Sequence, residues 1–198
     1  MDGKMKGMIM AGMMGLALIL GIMGTLGSTW LVEDDGDSAG DSAGGSYSLN
    51  AMHAEAESAE ECAFMAGFMG GECDGADYSM SISDLCDATD EDEICTMATG
   101  GMIGTIGMWA GIVCALLVTL TLVLPMAGVD AMDAVPEMVN KITSWGAGAL
   151  MLVGMLAWYF MLPEGGEMAL GMSAWMAGAA MSLGLGSTLI GQFIEADE

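Results

Sequence analysis

EDDGDSAGDSAGGSYSLNAMHAEAESAEECAFMAGFMGGECDGADYSMSISDLCDATDEDEIC, residues 33–95, holds eighteen Asp or Glu residues, four of the chain's five cysteines and its only histidine, but no Lys or Arg. Uncharged runs flank it: residues 7–32 hold 26 without a charge and residues 96–129 hold 34. Two more follow, 21 residues at 142–162 and 27 at 168–194. A bilayer core about 30 Å thick is crossed by about 20 apolar residues in a helix. The expected fold is therefore all-α and integral to a membrane. Four transmembrane helices, 7–32, 96–124, 142–162 and 168–194, form a bundle, with a disulfide-tied acidic extracytoplasmic loop between the first and second.

The two lysines before the first run resemble the start of a secretory signal. A signal's apolar region is only about 7–15 residues, however. Trp30, Leu31 and Val32 stand where small cleavage-site residues would be needed. The run is expected to remain as a span.

Basic residues set orientation, since they favour the cytoplasmic side. The chain has three, Lys4, Lys6 and Lys141. Four spans place residues 1–6, 125–141 and 195–198 together, and the lysines assign that side to the cytoplasm of a cell whose plasma membrane the protein crosses. Residues 33–95 and the turn at 163–167 then lie outside. Trp30, Trp158 and Tyr159 fall at outer ends of spans and Trp145 near an inner end, as interface anchors would.

The 198 residues are 54% apolar and carry a net charge of −24. That charge excludes a nucleic-acid partner, which needs clustered Lys and Arg. It attracts cations and keeps a surface hydrated in salt, so it fits a saline habitat as readily as a binding site.

Within the loop, residues 33–46 are rich in Gly, Ser and Asp and read as a flexible linker. Residues 50–69 abound in Ala, Glu and Met and read as a helix capped by Asn50 and ended by Gly70 and Gly71. Tyr78 to Ser83 alternate apolar and polar residues, which permits a short strand, but no partner strand is legible. Thr89 or Asp90 is placed to cap a helix running into the second span, with acids at 90–93 favouring its N-terminal dipole. Pro125 is expected to end that span and Pro136 to open the third helix. The few residues at 163–167 make the last two spans an antiparallel hairpin.

Lipid gives no hydrophobic drive for helix association, so small residues mark close packing. Gly100, Gly104, Gly107 and Gly111 line the second span, and Ala174, Gly178, Ser182 and Gly186 the fourth. These seams serve packing within the chain or, on a second reading, a partner subunit. The 24 methionines suggest adaptable packing. They are scattered through all four spans, which argues against a copper site.

No span interior contains an ionisable residue, which weighs against proton relays and coupled transport. Cys62, Cys73, Cys86 and Cys95 suit two disulfides in an oxidising compartment, with three pairings open. Zinc ligation is disfavoured because close Cys spacing is absent. Cys114 is a small packing residue. His53 and Glu57 share a face if their segment is helical and form a weak metal pair. Asp35, Asp37 and Asp41 begin like a calcium loop. Ala39 takes the fifth ligand position and Ser46 the place of the closing acid, which leaves a charge cluster for weak Ca²⁺ binding. No cofactor is implied, and no catalytic constellation is visible.

Four spans, a large first outer loop, Trp30 at its start and Cys62 and Cys73 spaced C-x10-C together resemble the claudin and peripheral-myelin type of tetraspan protein. The resemblance implies a disulfide-bonded Cys pair in that loop and a role in adhesion, barrier formation or as an accessory. Ala59-Glu60-Glu61 stands where that family has Gly-Leu-Trp, two further cysteines follow, and the loop reads as helical rather than sheet-forming.

The functional expectation is a non-enzymatic tetraspan protein, structural or accessory, whose acidic loop meets another copy or another membrane protein. A passive cation-permeable pore or cation-binding mouth is the alternative. An extracytoplasmic metal-dependent enzyme is the third reading.

Overall fold

The structure, a computed structural model, describes residues 3–33, 45–126, 128, 136–163 and 168–193. Four of its helices are long and apolar enough to cross a membrane: α1 (Gly3–Leu26), α4 (Asp92–Met126), α5 (Glu137–Phe160) and α6 (Met172–Phe193). Two short helices, α2 (Ala59–Met69) and α3 (Ile82–Thr89), lie between α1 and α4. The chain divides into two compact units, the first made of residues 1–25, 106–155 and 176–198, the second of residues 26–105 and 156–175.

In the first unit, α1, α4, α5 and α6 pack through small residues and methionines. Met14, Ala17, Met108, Ala115, Ala147, Met151 and Ala180 are fully buried. Backbones approach closely where glycines face each other. A Cβ on Gly107 would lie 2.7 Å from the Gly154 Cα, and one on Gly184 3.2 Å from the Gly148 Cα. Hydroxyl groups add bonds between helices: Thr188 Oγ1 donates to the Ser144 carbonyl at 2.7 Å, and Ser187 Oγ to the Met10 carbonyl at 3.3 Å. Such bonds contribute about 0.6 kcal/mol each on average in membrane bundles. Leu16, Ile19, Met23, Val113, Leu117 and Val153 remain exposed, as side chains facing lipid would be.

The expectation of an all-α chain is corrected by the second unit, which contains a six-stranded antiparallel sheet. Its strands are β1 (Leu31–Glu33), β2 (Ser46–Tyr47), β3 (Ala51–Glu55), β4 (Glu72–Asp74), β5 (Asp77–Ser81) and β6 (Met168–Leu170), ordered β4-β5-β3-β2-β1-β6. The helix expected over residues 50–69 is confined to Ala59–Met69. Residues 51–55, although rich in helix formers, pair with β5 and pack the half-buried Met52 and Ala54 against the core on one face. Pairing and burial override intrinsic propensity over so short a stretch. The strand anticipated near Tyr78 thus has neighbours on both sides, β3 and β4.

Two span borders shift for the same reason. The first helix stops at Leu26 and the chain enters β1, while Met168–Leu170 form β6 ahead of α6. β1 and β6 pair Leu31 with Leu170 and Val32 with Ala169. Backbone bonds reinforce that join, with Gly171 N–H donating to the Trp30 carbonyl at 2.8 Å and Ser173 N–H to the Thr29 carbonyl at 3.0 Å.

Ser58, rather than Asn50, caps a helix: its hydroxyl accepts from Glu61 N–H at 3.2 Å, and the Glu61 carboxylate accepts from Glu57 N–H at 3.0 Å. This reciprocal pair, a capping box displaced by one residue on its return bond, holds the start of α2. Asn50 instead ties the entry of β3 to α4, its amide oxygen accepting from Thr105 Oγ1 at 2.7 Å and its nitrogen donating to the Gly101 carbonyl at 3.1 Å. A side chain on Gly101 would run into the Leu49 carbonyl, so only glycine permits this approach. Asp90 closes α3 in the left-handed conformation, and α4 starts two residues later.

Candidate functional site

Strand alternation sorts the second unit's sheet into an apolar and a polar face. Tyr78, Met80, Met52 and Ala54 point to one side, where α2 contributes Cys62, Met65 and Ala66. The Tyr78 hydroxyl donates to the Gly70 carbonyl at 2.8 Å, and burial raises its pKa. The Cys62–Cys73 disulfide bolts α2 to β4, with Cα atoms 6.0 Å apart. A second disulfide, Cys86–Cys95, joins α3 to the first turn of α4 across 4.9 Å. Of three possible pairings, the chain uses the sequential one.

The opposite face carries the polar residues. His53 stands across from Ser79 on one side and Ser46 on the other, Glu55 across from Asp77, and Asp77 across from Asp74. Together they line a pocket of about 420 Å³. Like charges directly opposite each other in a sheet are mutually destabilising. A cation entering this pocket relieves that repulsion, which is the chemistry the arrangement supports. The His53 imidazole makes no hydrogen bond to a serine or carboxylate among the described residues.

The weak metal pair changes character. His53 lies within β3 and Glu57 beyond its end, so the shared helical face that would have joined them does not exist. Among the described residues no group of three His, Cys, Asp or Glu side chains is arranged to hold a metal ion. Asp35, Asp37 and Asp41 fall outside the described residues.

The packing residues divide. In α4, Gly100, Gly104 and Gly111 are buried, Gly100 against Met161 in the second unit and Gly111 against Met151 in the first. The α6 seam is different. Ala174 is buried and Gly186 touches Met13, but Ser182 is exposed and Gly178 only half-buried. The buried line of α6 within the first unit runs instead through Ala177, Ala180, Gly184, Ser187 and Thr188. A four-residue step overshoots one turn by about 40°, so a stripe at constant spacing of four winds around the helix.

Two of the four expected interface anchors are core residues. Trp30 and Trp158 are 0% and 1% exposed and contact each other edge to face. Trp145 and Tyr159 do stand exposed. The sequence reading missed two outward residues of α2, Phe64 and Phe68, which are 73% and 83% exposed. Their spacing of four on a helix was the available signal.

Compared with known protein families and with curated proteins, the chain matches none.

Proposed function

We propose that the chain is a non-enzymatic tetraspan protein of the plasma membrane, structural or accessory, with both termini in the cytoplasm. Its acidic, disulfide-tied sheet unit faces outward and binds a second copy or another membrane protein. The exposed pair Phe64 and Phe68 carries this reading. Phe64 and Phe68 stand exposed on the same short helix as Met69, with Glu60 and Glu61 in its first turn, and exposed large apolar side chains rimmed by charge are the composition of an interface centre rather than of a solvated face. Two disulfides support an oxidising compartment for that unit.

The proposal extends to a relationship with claudin and peripheral-myelin-type proteins. Support comes from the bonded Cys62–Cys73 pair, the buried Trp30 at the start of the loop, and a loop that forms sheet where the sequence alone read as helix. Mass measurement of the full chain in mild detergent tests the association. Oligomers or a co-purifying membrane protein are expected, and the Phe64→Glu/Phe68→Glu double variant abolishes them. A strictly monomeric wild type with no co-purifying partner overturns the reading.

The acidic pocket favours one alternative, a cation-permeable pore or cation-binding mouth. Its mark is cation flux into liposomes that falls when Glu55, Asp74 and Asp77 are changed to the corresponding amides; absence of flux at every voltage removes it.

A further inference from the structure

Two of the chain's three basic residues stand at the same end of the first unit. Lys6 lies in the second turn of α1 and Lys141 in the second turn of α5, next to the last turn of α6. Lys6 Nζ donates to the Gly191 carbonyl at 3.0 Å, capping the C-terminus of α6. Beside it opens a pocket of about 400 Å³ lined by Met10 of α1, Asn140, Lys141 and Ser144 of α5, and Thr188, Gly191 and Gln192 of α6. No described lining residue is acidic, and Lys141 makes no ion pair among the described residues. Thr188 spends its hydroxyl proton on the bundle backbone. The donors left to the cavity are the Lys141 ammonium and the Asn140 and Gln192 amides, with the Ser144 hydroxyl.

We propose that this pocket binds a phosphate-type anion, either the headgroup of an acidic lipid or free phosphate. In a chain of charge −24, anions are repelled from most of the surface, and a cavity with no acid among its described lining residues is a place where one is tolerated. The exposed Asn140, Lys141 and Gln192 side chains border one cavity, and ammonium and amide N–H groups match phosphate oxygens, which accept several charge-assisted bonds at once. The pocket lies at the ends of three membrane-length helices, and basic pockets between spans at that level take lipid headgroups. The reading is independent of what the sheet unit does.

The test uses the purified full chain in neutral detergent, titrated with phosphatidylglycerol and, separately, phosphatidylcholine, with bound lipid counted by native mass spectrometry. The wild type is expected to prefer phosphatidylglycerol. Lys141→Gln should weaken that binding about fivefold, the attraction of one lysine near an anionic lipid surface, and Lys141→Arg should restore it. Asn140→Ala/Gln192→Ala, which leaves the charge untouched, should weaken it too and serves if Lys141→Gln does not fold. A second arm adds inorganic phosphate without lipid. Thermal stabilisation by phosphate but not chloride assigns the site to free phosphate, and its absence alongside lipid preference assigns it to the headgroup. Equal binding of the two lipids, or phosphatidylglycerol binding unchanged in the variants, together with no stabilisation by phosphate, overturns the proposal.

Discussion

Trp30 and Trp158 meet with ring centroids 4.9 Å apart and planes at 72°, an edge-to-face pair joining the residue before β1 to the end of α5. Such pairs contribute about 0.5–1.5 kcal/mol beyond the area they bury. Trp158 Nε1 has no acceptor among the described residues, so its indole acts here as an apolar body. Trp158→Phe should therefore cost little, within about 1.5 kcal/mol. Trp158→Ala and Trp30→Ala should each cost about 3–5 kcal/mol. Thermal unfolding followed by near-ultraviolet circular dichroism measures both, and equal losses for Phe and Ala would refute the account.

The two disulfides close loops of sequence separation 11 and 9. Loops of that size restrict the unfolded chain by an amount equivalent to about 2–3 kcal/mol each. Non-reducing peptide mapping should recover Cys62 with Cys73 and Cys86 with Cys95. Cys62→Ala/Cys73→Ala should lower the melting temperature more than Cys86→Ala/Cys95→Ala, because Cys62 is also fully buried in the core under α2.

Glycines in the helices separate into two kinds. A Cβ on Gly15 meets nothing within 4 Å, whereas one on Gly107 meets the Gly154 Cα at 2.7 Å and the Leu150 carbonyl at 2.9 Å. Gly15→Ala is expected to leave stability unchanged or slightly raised. Gly107→Ala forces two backbones apart and should destabilise by about 1–3 kcal/mol. Unfolding in detergent compares them directly.

Tyr78 predicts an alkaline limit for the sheet unit. Its pKa lies above the ordinary value of 10.0 because burial disfavours the phenolate. Above pH 10 the unfolded phenol ionises while the folded one stays protonated, so unfolding gains a driving force. The stability contribution is complete below pH 10 and is lost as pH rises through the folded-state value. Tyr78→Phe should cost about 1 kcal/mol at neutral pH through the lost bond to Gly70 and flatten the alkaline decline. An unchanged alkaline slope in the variant would exclude Tyr78 as its source.

The four long helices were legible because an uncharged run of membrane length has few other solutions. The sheet was hidden by three circumstances. Ala51–Glu55 has the composition of a helix, and only its alternation, Met52 and Ala54 against His53 and Glu55, betrays a strand. Leu31–Glu33 and Met168–Leu170 lie at the borders of uncharged runs, where three extended residues look like a little more span. The pairing of Leu31 with Leu170 is a contact across most of the chain, beyond the reach of local pattern. The acidic pocket was illegible for the same reason: Glu55 joins the local pair Asp74 and Asp77 only through the register of β3 against β5.

The antiparallel join of β1 and β6 also imposes an order on biosynthesis. β1 leaves the ribosome early and β6 only after three of the four long helices have been made. Until then the β1 edge is open, and unpaired edges invite pairing with other chains. The interval between emergence of these two strands is therefore when a nascent copy is most exposed to misassembly and when a folding helper acting on the sheet would have to work.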